Sequence, residues 1–343
     1  MEKETQVNNR GGRRDVIWID VLKGMGILLV VLGHSIKPDG LMATAIFSFH
    51  MPLFFFISGY LFNVSKYLDN EYKLITHSFQ RLIVPYFLVG VISYLWGVVF
   101  FHWTNPIPIL ESFIYSTGNI VSQFPALGPI GPLWFLTCLF CARILFYTIC
   151  KLTKTWDIAY QCALIIFVTG IGIVVGQYIR LPWSFDIALA MQVVMFVGYY
   201  FHKYNIIERM NWRWIIPFIL IWVYDIHMGG ISINNRQYYN YFLSISGAVI
   251  GTLIWALISI YSFHNDTVIR RFLSYCGRGS LIILAFHTMD TGFFHFDFLL
   301  PGVYGWISVS AVVLFAARVI FSLLIIGILR IPIIYKLFGK LFF

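Results

Sequence analysis

Charge is what this 343-residue chain has least of. Asp, Glu, Lys and Arg together make up 11% of it, where a soluble domain carries about 25%. That shortage excludes an ordinary soluble enzyme and a disordered, solvating chain. Cysteine is scarce as well. Five residues, an odd number, give no framework for a disulfide-stapled secreted fold. Cys138 and Cys141 have C-x-x-C spacing but lie inside an apolar stretch, where packing is the default role, so no metal is assigned. Internal repeats and low-complexity tracts are missing too. Apolar residues, in contrast, reach 59%, aromatics 19%, and mean hydropathy is +0.79. The chain is a membrane protein by composition. Its net charge of +9 therefore points to basic loops at a membrane and not to nucleic acid.

A membrane-crossing helix needs roughly 20 mostly apolar residues. Ten stretches qualify, at about 16–34, 41–62, 82–103, 131–151, 157–177, 184–202, 212–227, 239–261, 279–296 and 305–329. The seventh, which ends on Asp225 and His227, and the ninth, blurred by Thr288, Met289 and Asp290, are the weakest. With a cytoplasmic N-terminus, 20 Lys and Arg residues fall inside, Arg143 counted among them. Lys37, Arg180 and Arg236 fall outside, and Arg318 lies in mid-span. So strong an inward bias fits ten spans with both termini cytoplasmic. The expected fold is all-α and polytopic, one membrane-embedded domain over residues 1–343. Residues 1–15 form a cytoplasmic tail, retained because no cleavage site follows. Residues 331–343, with Lys336 and Lys340 among Leu and Phe, suit an amphipathic helix on the inner face. Segment 104–130, rich in Pro and Gly, is the longest outer connection.

Ionisable residues inside spans are costly and mark function by default. On the first helix Lys23 and His34 are 11 residues apart, three turns plus about 20°. Asp20 lies about 40° off the same line. The three share one face, with Asp20 and Lys23 spaced for an ion pair. The rise puts Lys23 about 16.5 Å from His34, so Asp20 does not orient His34 directly. A ligand anionic at one end and reactive at the other, such as acyl-CoA, suits that face. Snorkelling accounts equally well for Lys23 alone. His50 sits in mid-span two residues before Pro52, where it either lines a polar cavity or bonds a neighbouring helix. Ser58-Gly59 permits close helix packing. Arg81, before Pro85-Tyr86, is a phosphate ligand or an interfacial anchor. Trp134 stacks on a sugar or belongs to an aromatic belt. His287 lies within a span, and Arg318 requires a partner or a wet cavity.

Together these residues resemble the membrane acyltransferase-3 family, and within it the fucose 4-O-acetylase-like sugar O-acetyltransferases. The resemblance rests on Ile19-Asp20-Val-Leu-Lys23-Gly with Val30-Val-Leu-Gly-His34, on Phe49-His50-Met-Pro-Leu-Phe-Phe-Phe-Ile-Ser58-Gly59, on Arg81 through Pro85-Tyr86, on Leu133-Trp134-Phe-Leu, and on Gly277 through Ser280 with His287. It implies ten helices and transfer of an acyl group, usually acetyl, from cytoplasmic acyl-CoA. The acceptor it implies is a glycan or lipid-linked saccharide, and the setting a bacterial cytoplasmic membrane. Lys23 stands where the family has Arg, which keeps the charge and loses the bidentate fork. The resulting expectation is acid/base catalysis by His34, or an acetyl-histidine intermediate. Lys23, Asp20, Arg81 and further Arg270 and Arg271 would serve the donor. His50, Ser58, Trp134, His287 and Arg318 would line the site or meet the acceptor. Acetyl-CoA is the expected co-substrate, with membrane lipid around it and no metal. Two alternatives stand beside this. One is a succinyl-CoA-using enzyme. The other is a transporter or flippase for a lipid-linked saccharide, against which the missing repeat argues.

Overall fold

The computed structural model describes residues 11–36, 40–68, 70–101, 131–287 and 309–342. The outer segment 104–130, residues 1–10 of the tail and residues 288–308 around the ninth and tenth spans lie outside them. Among the described residues six helices are long and apolar enough to cross a membrane, or seven if a bent pair counts as one.

The first helix is α1 (Gly11–Gly33). It carries Asp20 and Lys23 among apolar residues, and its Val21, Leu22, Ile27, Val30 and Val31 are fully buried, so it is a core helix with polar cargo. It begins five residues before the apolar run, within the segment read as a tail. The second helix, α2 (Leu41–Tyr60), matches its expected span and carries Pro52 in its interior. Its most apolar window is 67% buried, against 22% for Ile158–Tyr178 and Val309–Leu329. Those two helices are peripheral, and their exposed apolar sides need a hydrocarbon solvent.

The third helical rod starts at Glu71, 11 residues before the apolar run at about 82. Helix α3 (Glu71–Ser78) passes through a π-turn at Phe79–Ile83 into α4 (Val84–Phe101). Pro85 explains the break. It has no N–H for the Arg81 carbonyl one turn back, so the turn widens and the Val84 N–H bonds Phe79 instead.

Beyond it come α5 (Trp134–Leu152) and α6 (Ile158–Tyr178). The expected sixth span is two pieces, α7 (Phe185–Ala190) and α8 (Gln192–Lys203), bent by 56°. The seventh, α9 (Ile215–His227), has only 13 residues. A two-stranded antiparallel turn pairs Ile231 with Tyr238. It presents Arg236 to Asp186 beside the bend, where the two form a buried ion pair at 2.8 Å. Asp186 also accepts from the Leu181 N–H at 3.2 Å, and Arg236 donates to the Asn234 carbonyl at 2.8 Å. The remaining helices are α10 (Tyr241–Ser262), α11 (Val268–Arg278), α12 (Ser280–Phe286) and α13 (Val309–Leu329).

Small residues set the two closest crossings, as in membrane helix packing generally. A Cβ on Gly59 of α2 would fall on the Met195 backbone, and one on Gly198 on the Phe56 backbone. Likewise a Cβ on Gly24 of α1 would meet the Leu273 carbonyl, and one on Gly277 of α11 the Asp20 carbonyl. The second crossing builds the site described next.

Candidate active site

The α1–α11 crossing brings Arg278 to Asp20, 3.7 Å from guanidinium nitrogen to carboxylate. Both line a cavity of about 470 Å³, together with Lys23. The π-turn adds Arg81 and α5 adds Arg143. Arg330, following α13, completes a set of five cations against one carboxylate among the described lining residues. Arg81, Arg278 and Arg330 are exposed, whereas Lys23 and Arg143 are half-buried. Arg143 is held from both sides. It donates to Ser78 Oγ and Ser58 Oγ, each at 3.3 Å, and lies 5.3 Å over the Phe62 ring. The far wall is apolar, formed by Ile27, Met51, Phe54, Phe135 and Leu284.

Cations gathered beside an apolar wall suit a ligand with anionic and apolar parts. The three donor residues expected from the sequence, Asp20, Lys23 and Arg81, all line this cavity, and so does Ser58. Arg270 and Arg271 do not; both pair with Asp266, at 2.7 and 3.2 Å. The Arg270 hydrogen bond, chiefly, holds the Asp266 carboxyl below its ordinary value. Arg143 is not a loop cation as the charge count had it, because it lies in mid-helix on α5. The rule that singles out mid-span Arg318 singles out Arg143 as well. Arg278 and Arg330 gave no such signal. A loop arginine looks the same in sequence whether or not a helix crossing turns it back over a cavity.

Just past the apolar wall stand three histidines from three helices. His34 follows α1 and is exposed as a residue. His287 follows α12, is fully buried, and has its ring centroid 5.2 Å from that of His34 with the planes 44° apart. His50 on α2 is reached through Phe47, whose ring lies 6.1 Å from His34 and 5.4 Å from His50. Met51 and Leu284, in the cavity wall, are the next residue to His50 and the residue one turn before His287. The described lining itself contains none of the three histidines.

Backbone carbonyls fix two of the rings. His50 Nδ1 lies 2.8 Å from the Ile46 carbonyl. His287 Nδ1 lies 3.1 Å and 2.9 Å from those of Ile283 and Leu284. A carbonyl only accepts, so both Nδ1 atoms carry the proton and both Nε2 atoms carry the lone pair in the neutral ring. Arg318 reaches across from α13 and donates to the His34 carbonyl, and to Ser35 Oγ at 3.2 Å. The cation required to find a partner thus finds the carbonyl end of α1, where a positive charge also suits the helix dipole. Trp134 is 5% exposed and packs edge-on to Phe135, which lines the cavity where Trp134 does not.

Asp225 stood out in the sequence only as a residue that weakens the end of the seventh span. It is fully buried, and neither of its oxygens meets a partner among the described residues.

The comparisons with known proteins bear on what this arrangement does. No curated protein and no solved structure matches the chain. The model of a family described as an acyltransferase domain, acyltransferase-3, matches residues 16–331. That span takes in the five cations of the cavity and the three histidines, and the chain belongs to the acyltransferase-3 family of membrane acyltransferases.

Proposed function

We propose that this acyltransferase moves an acetyl group from cytoplasmic acetyl-CoA to a hydroxyl of a cell-surface or lipid-linked saccharide. On this reading it is a multi-pass protein of a bacterial inner membrane, about ten helices in all. Both termini and the cation-lined cavity face the cytoplasm, as the inward bias of Lys and Arg suggests. It groups with the fucose 4-O-acetylase-like enzymes.

One observation carries the proposal: a cavity lined by five cations and by apolar residues includes Met51, next to His50, and Leu284, whose carbonyl holds His287 beside His34. CoA has matching parts. Its 3′-phosphate and pyrophosphate bring about four negative charges. The pantetheine arm that follows carries the thioester well away from them. Arg143 and Arg278 supply the forked donors that Lys23 lacks. Lys23 and His34, about 16.5 Å apart on one helix face, hold the two ends of such a donor.

In the reaction His34 acts as the base. The acceptor hydroxyl attacks the thioester carbon while His34 takes its proton. The new C–O bond forms, the tetrahedral oxyanion collapses, and the C–S bond breaks. The departing sulfur takes the proton back from His34, leaving an ester, free CoA and the neutral ring.

The test is transfer of label from radiolabelled acetyl-CoA to glycan, in membranes of a host that supplies candidate acceptors. Wild-type protein should label glycan, and His34→Ala at equal protein level should lose at least about 100-fold. Equal labelling by both would remove His34 from the chemistry. A product heavier by a succinyl group would replace the donor. No labelling and no CoA binding would leave the saccharide transporter as the reading to pursue.

A further inference from the structure

We infer that His287 is a positioning residue for His34, accepting a hydrogen bond that fixes which nitrogen of His34 is the base. The inference rests on the proposed role of His34 and assigns to the neighbouring ring a task of its own.

Three features of His287 combine. The Ile283 and Leu284 carbonyls hold its proton on Nδ1, so Nε2 is an acceptor and nothing else in the neutral ring. That Nε2 is buried and meets no partner among the described residues. A buried polar atom without a partner is costly, a cost that a bond made during turnover would remove. The neighbouring ring is that of His34, at 5.2 Å between centroids. Two imidazoles joined in line by a hydrogen bond of about 2.9 Å have their centroids about 5 Å apart. The centroid separation already matches such a pair, although no bond joins the rings as they stand. His34 follows the end of α1 and is exposed as a residue, which leaves its side chain room to turn while its carbonyl stays on Arg318. Bonds of this kind are often loose in an empty site and tighten around substrate.

With its N–H on His287 Nε2, His34 keeps its lone pair on the other nitrogen, the one that takes the acceptor proton. When that proton arrives, the imidazolium is held by the same bond, now charge-assisted and stronger. No proton passes to His287. It travels from the hydroxyl to His34 and on to the CoA sulfur. A base oriented by a third group is the general logic of activated attack, and here an imidazole fills the place commonly taken by a carboxylate.

The experiment compares His287→Met, His287→Gln and His287→Asn with wild type and His34→Ala in the labelled-acetyl assay. A glutamine amide reaches where Nε2 stood, whereas asparagine reaches only to the Nδ1 position. His287→Met should lower kcat about 100-fold and leave KM for acetyl-CoA within threefold. His287→Gln should recover at least tenfold over Met and exceed Asn. The inference is overturned if Met stays within threefold of wild type, if its loss lies in KM, or if Gln is no better than Asn. Should the Met variant fail to accumulate, the order of Gln and Asn alone decides. If His34→Ala labels glycan as wild type does, the proposed role of His34 falls and this inference with it, while acetyl transfer itself stands. Loss in His34→Ala with wild-type rates in all three His287 variants sinks the inference alone.

Discussion

At the scale of single residues, the energetics of Arg318 are the most demanding. An arginine at the centre of a membrane helix costs about 2.5–3.5 kcal/mol on insertion scales. A hydrogen bond from a charged donor returns about 1.5–3 kcal/mol. The bonds to the His34 carbonyl and Ser35 hydroxyl at least offset the burial, and they tie α13 to the end of α1 where His34 stands. Arg318→Lys retains a donor for one of the two acceptors and should lose about tenfold in acetyl transfer. Arg318→Met leaves both without it and should lose about 100-fold, the scale of a misplacement near 1 Å, with no loss of membrane-inserted protein. Full activity in the Met variant would reduce Arg318 to an incidental cation. The sequence made Arg318, Lys23 and His34 legible because a lone charge or imidazole in an apolar run has few bland explanations. It hid the Asp186–Arg236 pair because Asp186 stands at the start of its span and Arg236 in a distant connection, and neither points to the other.

Among the helices, the α1–α11 crossing decides whether the cavity forms. Gly24 and Gly277 each lie where a Cβ would strike the other helix's backbone, so a side chain at either must part the two. Gly277→Ala should move Arg278 away from Asp20, raise KM for acetyl-CoA about tenfold, and cost about 1–3 kcal/mol in stability, as overpacking does. Gly170→Ala is the control. Nothing lies within 4 Å of a Cβ there, and the helix gains up to about 1 kcal/mol from alanine. Thermal unfolding in detergent, alongside KM, separates the two, and equal behaviour would show that the crossing has room to spare. Hydropathy located α2 well because its ends coincide with changes in polarity. It started the third rod 11 residues late, because Glu71-Tyr-Lys-Leu-Ile-Thr-His-Ser78 buries only Leu74 and Ser78 and reads as a loop. A single bending residue, Pro85, was visible, but the π-turn it causes was not.

For the molecule as a whole, the broken span from Pro182 to Lys203 shows what apolar counting misses. Two short helices at 56° are as apolar as one straight one. What separates them is a bend fastened by Asp186 and Arg236, from segments 50 residues apart. Removing one partner leaves a buried charge alone, and Asp186→Asn or Arg236→Met should each cost about 3–5 kcal/mol. Asp186→Leu combined with Arg236→Met should recover most of that, read as the unfolding midpoint in detergent. Additive losses in the double variant would mean that the pair is not what fastens the bend.

Helix α1 is secured twice, at the Gly24 crossing along its length and by Arg318 at its C-terminal end. It also carries both Lys23 and His34. A rod clamped at two points is a ruler. If the donor is gripped by its phosphates and cut at its thioester, the enzyme selects on the length of the carrier arm before it selects on the acyl group. A single residue added between Lys23 and His34 would lengthen that standard by only about 1.5 Å, yet turn the two ends about 100° out of line. The measure tolerates substitution along its shaft far better than any change in its count.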